Sequence, residues 1–340
     1  MNINRRILTS IPLLIALACS REHAGKKGVP PTSPPPQPLP VVTLRQEWFP
    51  NSNYAGALAA MHDFAKDHNI VLKVLPGSDN VDPIKTVITG SDMFGDAGAD
   101  KVLAANAKGA DLVVVGVLNR TSPTCFVAKT ETNIRVPKDF EGKTVGILTG
   151  TATEYVYRTL VQRAGVDVKS VREIEVPFDL GTFLTTNTYQ VRPAFIYDEP
   201  VTLDQKGIKY RIIDPRSYGV EFLGTVYFTR REFLEKHPDL VKAFVFSVAD
   251  GWTLAEKYPE RAIGYLKAYD PQIDEKRELA ALKKSLEYFK GDDNKILYAS
   301  LSRWQEMAKS LRDLGAIGDV DLLKTIDYSF VEEYSRAADK

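Results

Sequence analysis

Short apolar runs alternate with helical-period stretches along most of this chain, and the pattern changes character once. Strand-like runs fall at 41–44, 70–74, 112–118, 144–148, 171–176, 194–197 and 210–213. Between them apolar residues recur at helical spacing, as at 101–108 and 155–164. Such alternation predicts α/β architecture, with parallel sheets covered by helices. From Glu232 onward the strands cease. Phe233, Leu234, Leu240, Val241, Phe244 and Val245 keep a helical period, punctuated by Pro238, Pro259 and Pro271.

Two segments read as crossings between lobes. Residues 119–129 leave the run 112–118 through Arg120-Thr-Ser-Pro-Thr and extend again, and 224–229 forms a short strand before the helical tail. Lobe 1 is then 41–124 plus 225–340, and lobe 2 is the insert 125–224. Two lobes on two crossings make a clamshell that closes by hinge motion.

The N-terminus reads as an export signal, residues 1–18. Arg5 and Arg6 precede an apolar run from Ile7 to Ala18, too short to stay in a bilayer as a spanning helix. Ala18 directly before Cys19 marks a lipoprotein signal, with Cys19 as the lipidated residue; Ala16 stands where that signal usually carries Leu. Ser20 follows the cysteine, so nothing marks inner-membrane retention. Residues 19–40, with the run GVPPTSPPPQPLP, form a proline-rich tether that holds a domain away from a membrane.

Formal charge balances at 44 basic and 44 acidic residues, and loss of Arg5 and Arg6 with the signal leaves 42 against 44. No basic stripe points to nucleic acid. Cys125 is the only cysteine besides Cys19, so no intrachain disulfide is expected, and it reads as a small buried hydrophobe.

The densest candidate chemistry lies at 47–56, EWFPNSNYAG. A strand ends in Trp48 and Phe49, breaks at Pro50, and restarts as a helix after Asn51, Ser52 and Asn53. A strand end facing a helix start, with an indole and amides between, suits a planar polar ligand. The plainer reading is a core Trp beside an Asn helix cap. A second turn, Thr149-Gly-Thr-Ala-Thr-Glu154, follows the run 144–148, and Thr151 and Glu154 have the spacing of a capping box. The turn also offers hydroxyls at a positive helix end, although it lacks GK[ST] and is no phosphate loop. A third element, FIYDEP at 195–200, delivers Tyr197 and Asp198 at a strand's C-terminal end, where open sheets bind ligands.

Catalytic and metal signatures are lacking. His62 and His68 are six apart and share no helical face, no GxSxG elbow occurs, and no Cys–His set is evident. No enzyme, metal or cofactor is expected from these residues.

The chain resembles solute-binding proteins of ABC importers, in the branch of thiamine-pyrimidine-precursor-binding (NMT1-type) proteins related to sulfonate, nitrate and taurine binders. The resemblance runs over 41–335 on EWFPNSNYAG, Asp92-Met-Phe-Gly-Asp96, NRTSPT (119–124), VPKDFEGKTVGI (136–147), FIYDEP and 233–242. It implies a periplasmic-binding-protein clamshell, each lobe a mostly parallel sheet flanked by helices, with a helical C-terminal tail. Trp48 matches the aromatic that flanks the ligand ring, and Asn51 and Asn53 match the polar pair after the proline. Tyr54 stands where the branch commonly has His, and Asp198 where it often has Glu. A eukaryotic relative of the same fold is a pyrimidine synthase that depends on a cysteine-rich iron motif; this chain has no such motif.

The expected function is a lipid-anchored binding component, facing the periplasm or cell exterior, that delivers a thiamine pyrimidine precursor or riboflavin-like heterocycle to an ABC permease with its ATPase. It is expected to act as a monomer. Expected ligand residues are Trp48, Asn51, Asn53, Tyr54, Asp96, Ser122, Thr149, Thr151, Thr153, Glu154, Tyr197, Asp198 and Tyr227. One alternative is a binder of a sulfonate- or nitrate-type anion, which requires a cleft-facing arginine from Arg120 or Arg192. Another is an exported pyrimidine-precursor enzyme.

Overall fold

A computed structural model describes residues 38–78, 80–289 and 295–338. The export signal, Cys19 and the tether up to residue 37 lie outside the described residues. Ten strands follow in chain order: β1 (Val41–Arg45), β2 (Val71–Leu75), β3 (Phe94–Gly98), β4 (Leu112–Val117), β5 (Thr124–Lys129), β6 (Thr144–Ile147), β7 (Arg172–Glu175), β8 (Val191–Phe195), β9 (Tyr210–Ile213) and β10 (Thr225–Arg230). They form two five-stranded sheets, ordered β2-β1-β3-β10-β4 and β7-β6-β8-β5-β9.

The two sheets share one plan. In each, a single strand runs against the rest: β10 is antiparallel to β3 and β4, and β5 is antiparallel to β8 and β9. These are the strands that arrive from the other sheet. The remaining pairs, β1 with β2 and β3, and β6 with β7 and β8, are parallel. A mostly parallel sheet therefore describes each lobe, and the C-terminal strand ends of both face the gap between them.

Strand β3 was not legible as a strand. Its sequence FGDAG carries two glycines, which disfavour strands. Packing explains Gly95: a Cβ there would lie 2.7 Å from the Phe228 ring on the neighbouring strand. Strand β8 begins earlier than the run 194–197 because Arg192 and Pro193 pair with Val127 and Phe126 of β5. Tyr197 thus stands beyond the strand, in the turn that enters helix Glu199–Gln205.

The crossings lie side by side. The Leu118 and Asn119 amides donate to the Thr225 carbonyl at 2.9 and 3.1 Å, Gly224 returns to the Asn119 carbonyl at 2.9 Å, and Ser122 donates to Phe222 at 2.6 Å. A hydrogen-bonded ribbon, not two loose loops, joins the lobes.

Helices Arg231–Lys236, Pro238–Lys257 and Pro259–Tyr269 open the tail, two of them starting on a proline whose missing N–H costs nothing there. The 20-residue helix Pro238–Lys257 packs against Ala55–Ala59, the short helix that follows the Trp48 motif. Their contact is exceptionally close. A Cβ on Gly56 would sit 2.1 Å from the Trp252 indole, and one on Gly251 would sit 2.1 Å from the Gly56 carbonyl. The Trp252 Nε1–H is satisfied by the Tyr227 hydroxyl at 2.8 Å. Gly251→Ala is therefore expected to cost about 1–3 kcal/mol by overpacking, read as a lower urea midpoint with an unchanged slope.

Candidate ligand site between the lobes

The Trp48 motif turns at the C-terminal end of β1. The Asn51 side-chain carbonyl accepts the Asn53 N–H at 2.8 Å, and its amide donates to the Phe49 carbonyl at 2.9 Å. Asn51 is thus the cap of the turn at Ser52–Tyr54, with both ends of its side chain used locally. The Ser52 N–H is taken by Glu278 at 2.6 Å, which anchors the turn to helix Glu275–Ser285.

Tyr54 and Tyr227, expected as ligand contacts, are placed elsewhere. Tyr54 is 1% exposed; its hydroxyl donates to the Trp48 carbonyl and accepts the Gly77 N–H at 3.2 Å. The larger phenol reaches under the loop and fixes Trp48 from behind, so its role is support. Tyr227 is fully buried beneath Trp252 and Phe244, on the helix-covered face of the sheet. Burial first, and then the nearby Asp96 charge, pushes both phenols well above their ordinary range.

Trp48 and Phe49 are exposed, at 41% and 46%, and pack edge to face with centroids 5.5 Å apart. Across the gap Trp48 meets Phe178 of lobe 2, which is 61% exposed, with centroids 5.7 Å apart and ring planes at 45°. Polar contacts also span the gap, among them Lys284 Nζ with Asp204 Oδ2 at 3.2 Å. Asn53 Nδ2 donates to the Tyr197 hydroxyl at 3.0 Å, and Arg277 Nη2 pairs with Asp198 Oδ1. Arg277 also pairs with Glu278. The Asn53 side-chain carbonyl and the Gln46 side-chain amide are buried without a hydrogen-bond partner. Groups in that position are matched by a ligand or carry a desolvation penalty.

Gln46 has a defined neighbour. Register pairs Leu44 with Phe94 and Arg45 with Gly95, so the next step sets Gln46 beside Asp96 at the edge of the sheet. Asp96 is buried and accepts the Glu47 N–H at 2.7 Å. Burial, then the nearby Glu47 charge, hold its carboxyl well above the usual carboxylate range. Asp100 at the start of helix Ala99–Asn106 is pushed up to about 6 by the same two causes, in the same order. Lys101 answers this charge by pairing with Glu47 at 2.6 Å.

On lobe 2 the turn 149–154 is built differently from a capping box. Thr151 caps nothing with its side chain; its hydroxyl donates to the Leu148 carbonyl at 2.7 Å and meets Thr153 Oγ1 at 2.8 Å. Glu154 accepts from the Gly150 N–H at 2.7 Å and pairs with Arg158 at 3.2 Å. Thr149 is held by Glu175 through both its N–H and its hydroxyl. Tyr155 lies beside Asp100 of lobe 1 and Glu154 of lobe 2; burial first and then these charges raise its phenol. Ser122, on the ribbon, spends its hydroxyl on Thr124 at 3.0 Å.

Arg192 is fully buried within lobe 2, donating to the carbonyls of Pro193, Asp179 and Phe178 at 3.0, 2.7 and 3.0 Å and pairing with Glu199 at 3.1 Å. Arg120 is buried and donates to the Lys295 carbonyl at 3.2 Å. Neither presents a guanidinium to the gap. The walls are instead carboxylate-rich, with Glu47, Asp96, Asp100, Asp198 and Glu278 against Lys101 and Arg277. Sequence reasoning missed Gln46, Phe178, Arg277 and Glu278, because nothing local marks them. Two surface cavities lie elsewhere, about 590 Å³ beside Thr130 and Tyr210 and about 370 Å³ beside His68 and Phe246.

Two α/β sheets of one plan, joined by a paired crossing and followed by helices, define the periplasmic-binding-protein fold. The periplasmic sulfonate-binding protein SsuA of Methylobacillus flagellatus superposes with a TM-score of 0.68 at 16% identity, over 89% of this chain and 96% of that one. The chain belongs to the family described as NMT1/THI5 like, whose model matches residues 51–262. A formylaminopyrimidine-binding protein of Halalkalibacterium halodurans is 25% identical over 67% of this chain and 70% of its own length. A 4-amino-5-hydroxymethyl-2-methylpyrimidine phosphate synthase of Legionella pneumophila is 25% identical over 68% and 74%. The riboflavin-binding protein RibY of Chloroflexus aurantiacus is 23% identical over 96% and 97%.

Two outcomes test this geometry. Tyr54→Phe removes the hydroxyl that bridges Gly77 and Trp48, while the Gly77 N–H keeps the Trp48 carbonyl as acceptor at 3.0 Å; urea unfolding is expected to show a loss of about 0.5–1.5 kcal/mol. Asp100 holds its proton to about pH 6 when folded, whereas an unfolded aspartate releases it near pH 4. The folded state binds more protons in that window, so this group makes stability fall as pH rises from about 4 to 6. Asp100→Asn is expected to flatten that segment of the stability profile; an unchanged slope counts against the assignment.

Proposed function

We propose that this protein is the substrate-binding component of an ABC import system, tethered by lipid at Cys19, that captures a planar nitrogen heterocycle between its lobes. The observation that carries the reading is the character of the cleft walls. An exposed indole stands beside unmatched amide groups of Gln46 and Asn53 and a row of carboxyls. A planar ring with hydrogen-bond donors or positive charge complements such walls. The names of the pyrimidine- and riboflavin-binding relatives support that ligand class.

A small anion is a poorer match. Sulfonate or nitrate needs a free cation, and Arg120 and Arg192 are both turned to other partners. An enzymatic reading is favoured by one observation, the synthase name of the Legionella relative. The residues of this cleft support binding better, since they include no His and no Cys, and Cys125 is buried within lobe 2.

Delivery follows from hinge opening, because a ligand stabilises the closed form only by its differential affinity. A permease that prefers the open form releases the ligand. Action as a monomer fits this scheme.

Mass spectrometry of small molecules released from protein purified without refolding tests the reading. A pyrimidine or flavin recovered in proportion to protein is expected, and Trp48→Ala should weaken its binding about tenfold or more with an unchanged melting temperature. Stabilisation by taurine or nitrate, with none by a pyrimidine or riboflavin, overturns the ligand class. Conversion of an added pyrimidine precursor by the protein with iron would overturn the binding-only role.

A further inference from the structure

We infer that Phe178 is the second wall of the ligand site, and that it and Trp48 form an aromatic clamp closing on both faces of one planar ring. This inference rests on the proposed heterocycle-binding function and adds a residue and a geometry to it. Trp48 comes from lobe 1 and Phe178 from the loop after β7 in lobe 2, so hinge closure is the motion that brings them together.

The spacing fits. Their centroids are 5.7 Å apart. A ring held between two others needs about 7 Å, twice the ~3.5 Å contact distance between carbon atoms. Parting the lobes by little more than an ångström at this point admits one aromatic layer and no more. The 45° between the planes must close as the ring enters, and Phe178, mostly exposed, has the room to turn.

The Phe178 side chain is exposed, yet its backbone is held. Arg192, buried under the loop, donates to the carbonyls of both Phe178 and Asp179, and its remaining charge is met by Glu199. Glu199 in turn accepts the Phe195 N–H at 2.8 Å. The turn that presents Tyr197 and Asp198 therefore also fixes the loop that presents Phe178. An exposed phenylalanine on a braced loop, facing an exposed tryptophan whose own loop is braced by Tyr54, is a pair of walls with an apolar gap between them. A planar ring fills that gap; a sulfonate or nitrate has no face to offer.

The chain provides its own reporter. Trp252 and Trp304 are buried and donate their N–H groups to Tyr227 and Tyr328, so only Trp48 senses the cleft. Riboflavin and 4-amino-5-hydroxymethyl-2-methylpyrimidine are titrated into full-length wild type, Phe178→Ala, Phe178→Leu and Phe178→Tyr, following Trp48 emission and calorimetry. Expected is quenching in the wild type by at least one of the two probes. Binding should be about tenfold or more weaker in Phe178→Ala and Phe178→Leu, and within about twofold in Phe178→Tyr. Melting temperatures should not change, since the ring packs into no core. Without ligand, Phe178→Ala should shift Trp48 emission to the red as its neighbour is replaced by water. Wild-type binding matched by Phe178→Ala overturns the clamp and leaves the heterocycle-binding function standing. Wild type that binds neither probe overturns both.

Discussion

The paired crossing between 118–122 and 222–225 is the constraint on which the rest of this molecule depends. Four backbone hydrogen bonds lock two chain segments that are about a hundred residues apart in sequence. That ribbon sends one strand into each sheet against the direction of its neighbours, and it sets the C-terminal edges of both sheets face to face. Trp48, Asn53, Phe178, Tyr197 and Asp198 sit on turns and loops leaving those edges, and helix Glu275–Ser285 brings Arg277 and Glu278 to them. A covalent chain with one crossing would leave the lobes free to twist; two crossings, hydrogen-bonded together, leave chiefly opening and closing.

The site is built in layers behind that hinge. Trp48 is presented by Tyr54, Tyr54 by the Gly77 loop, and the helix behind them by the contact between Gly56, Gly251 and Trp252. Lobe 2 repeats the logic with Arg192 and Glu199 beneath Phe178, Tyr197 and Asp198. In both lobes the aromatic faces at the gap, Trp48 and Phe178, are exposed, while Tyr54, Arg192 and Glu199 behind them have their hydrogen bonds met. Precision at a binding wall comes from such support, because the wall itself has too few contacts to hold its own rotamers.

How much of this was legible in the sequence depends on the distance over which each signal acts. Strand and helix alternation is local, so the two-lobed α/β fold and its helical tail could be read from apolar periodicity. The strand Phe94–Gly98 is not legible because its Gly95 answers to Phe228, some 130 residues away. Trp48 and Asn53 stood out through the turn they form. Asn51 looked like a ligand group but is a cap, which the Asn-x-Asn spacing also allowed. The burial of Tyr54 and Tyr227 was not legible because side-chain direction is decided by packing partners such as Gly77 and Trp252, which no local motif marks. Phe178 and Arg277 carry no motif at all, and only closure of the two lobes brings them to the site.

The bonds that bridge the gap include Arg277 with Asp198 and Lys284 with Asp204, both pairs partly exposed to water. Each contributes no more than about 1 kcal/mol, and dissolved ions weaken it further. These links form between protein groups alone, so they add the same increment to closure whichever molecule occupies the cleft. Under the proposed binding function, capture strength would then depend partly on the surrounding ionic strength. The same residues in fresh water and in brine would hold one ligand with different tenacity, without any change in the walls that recognise it.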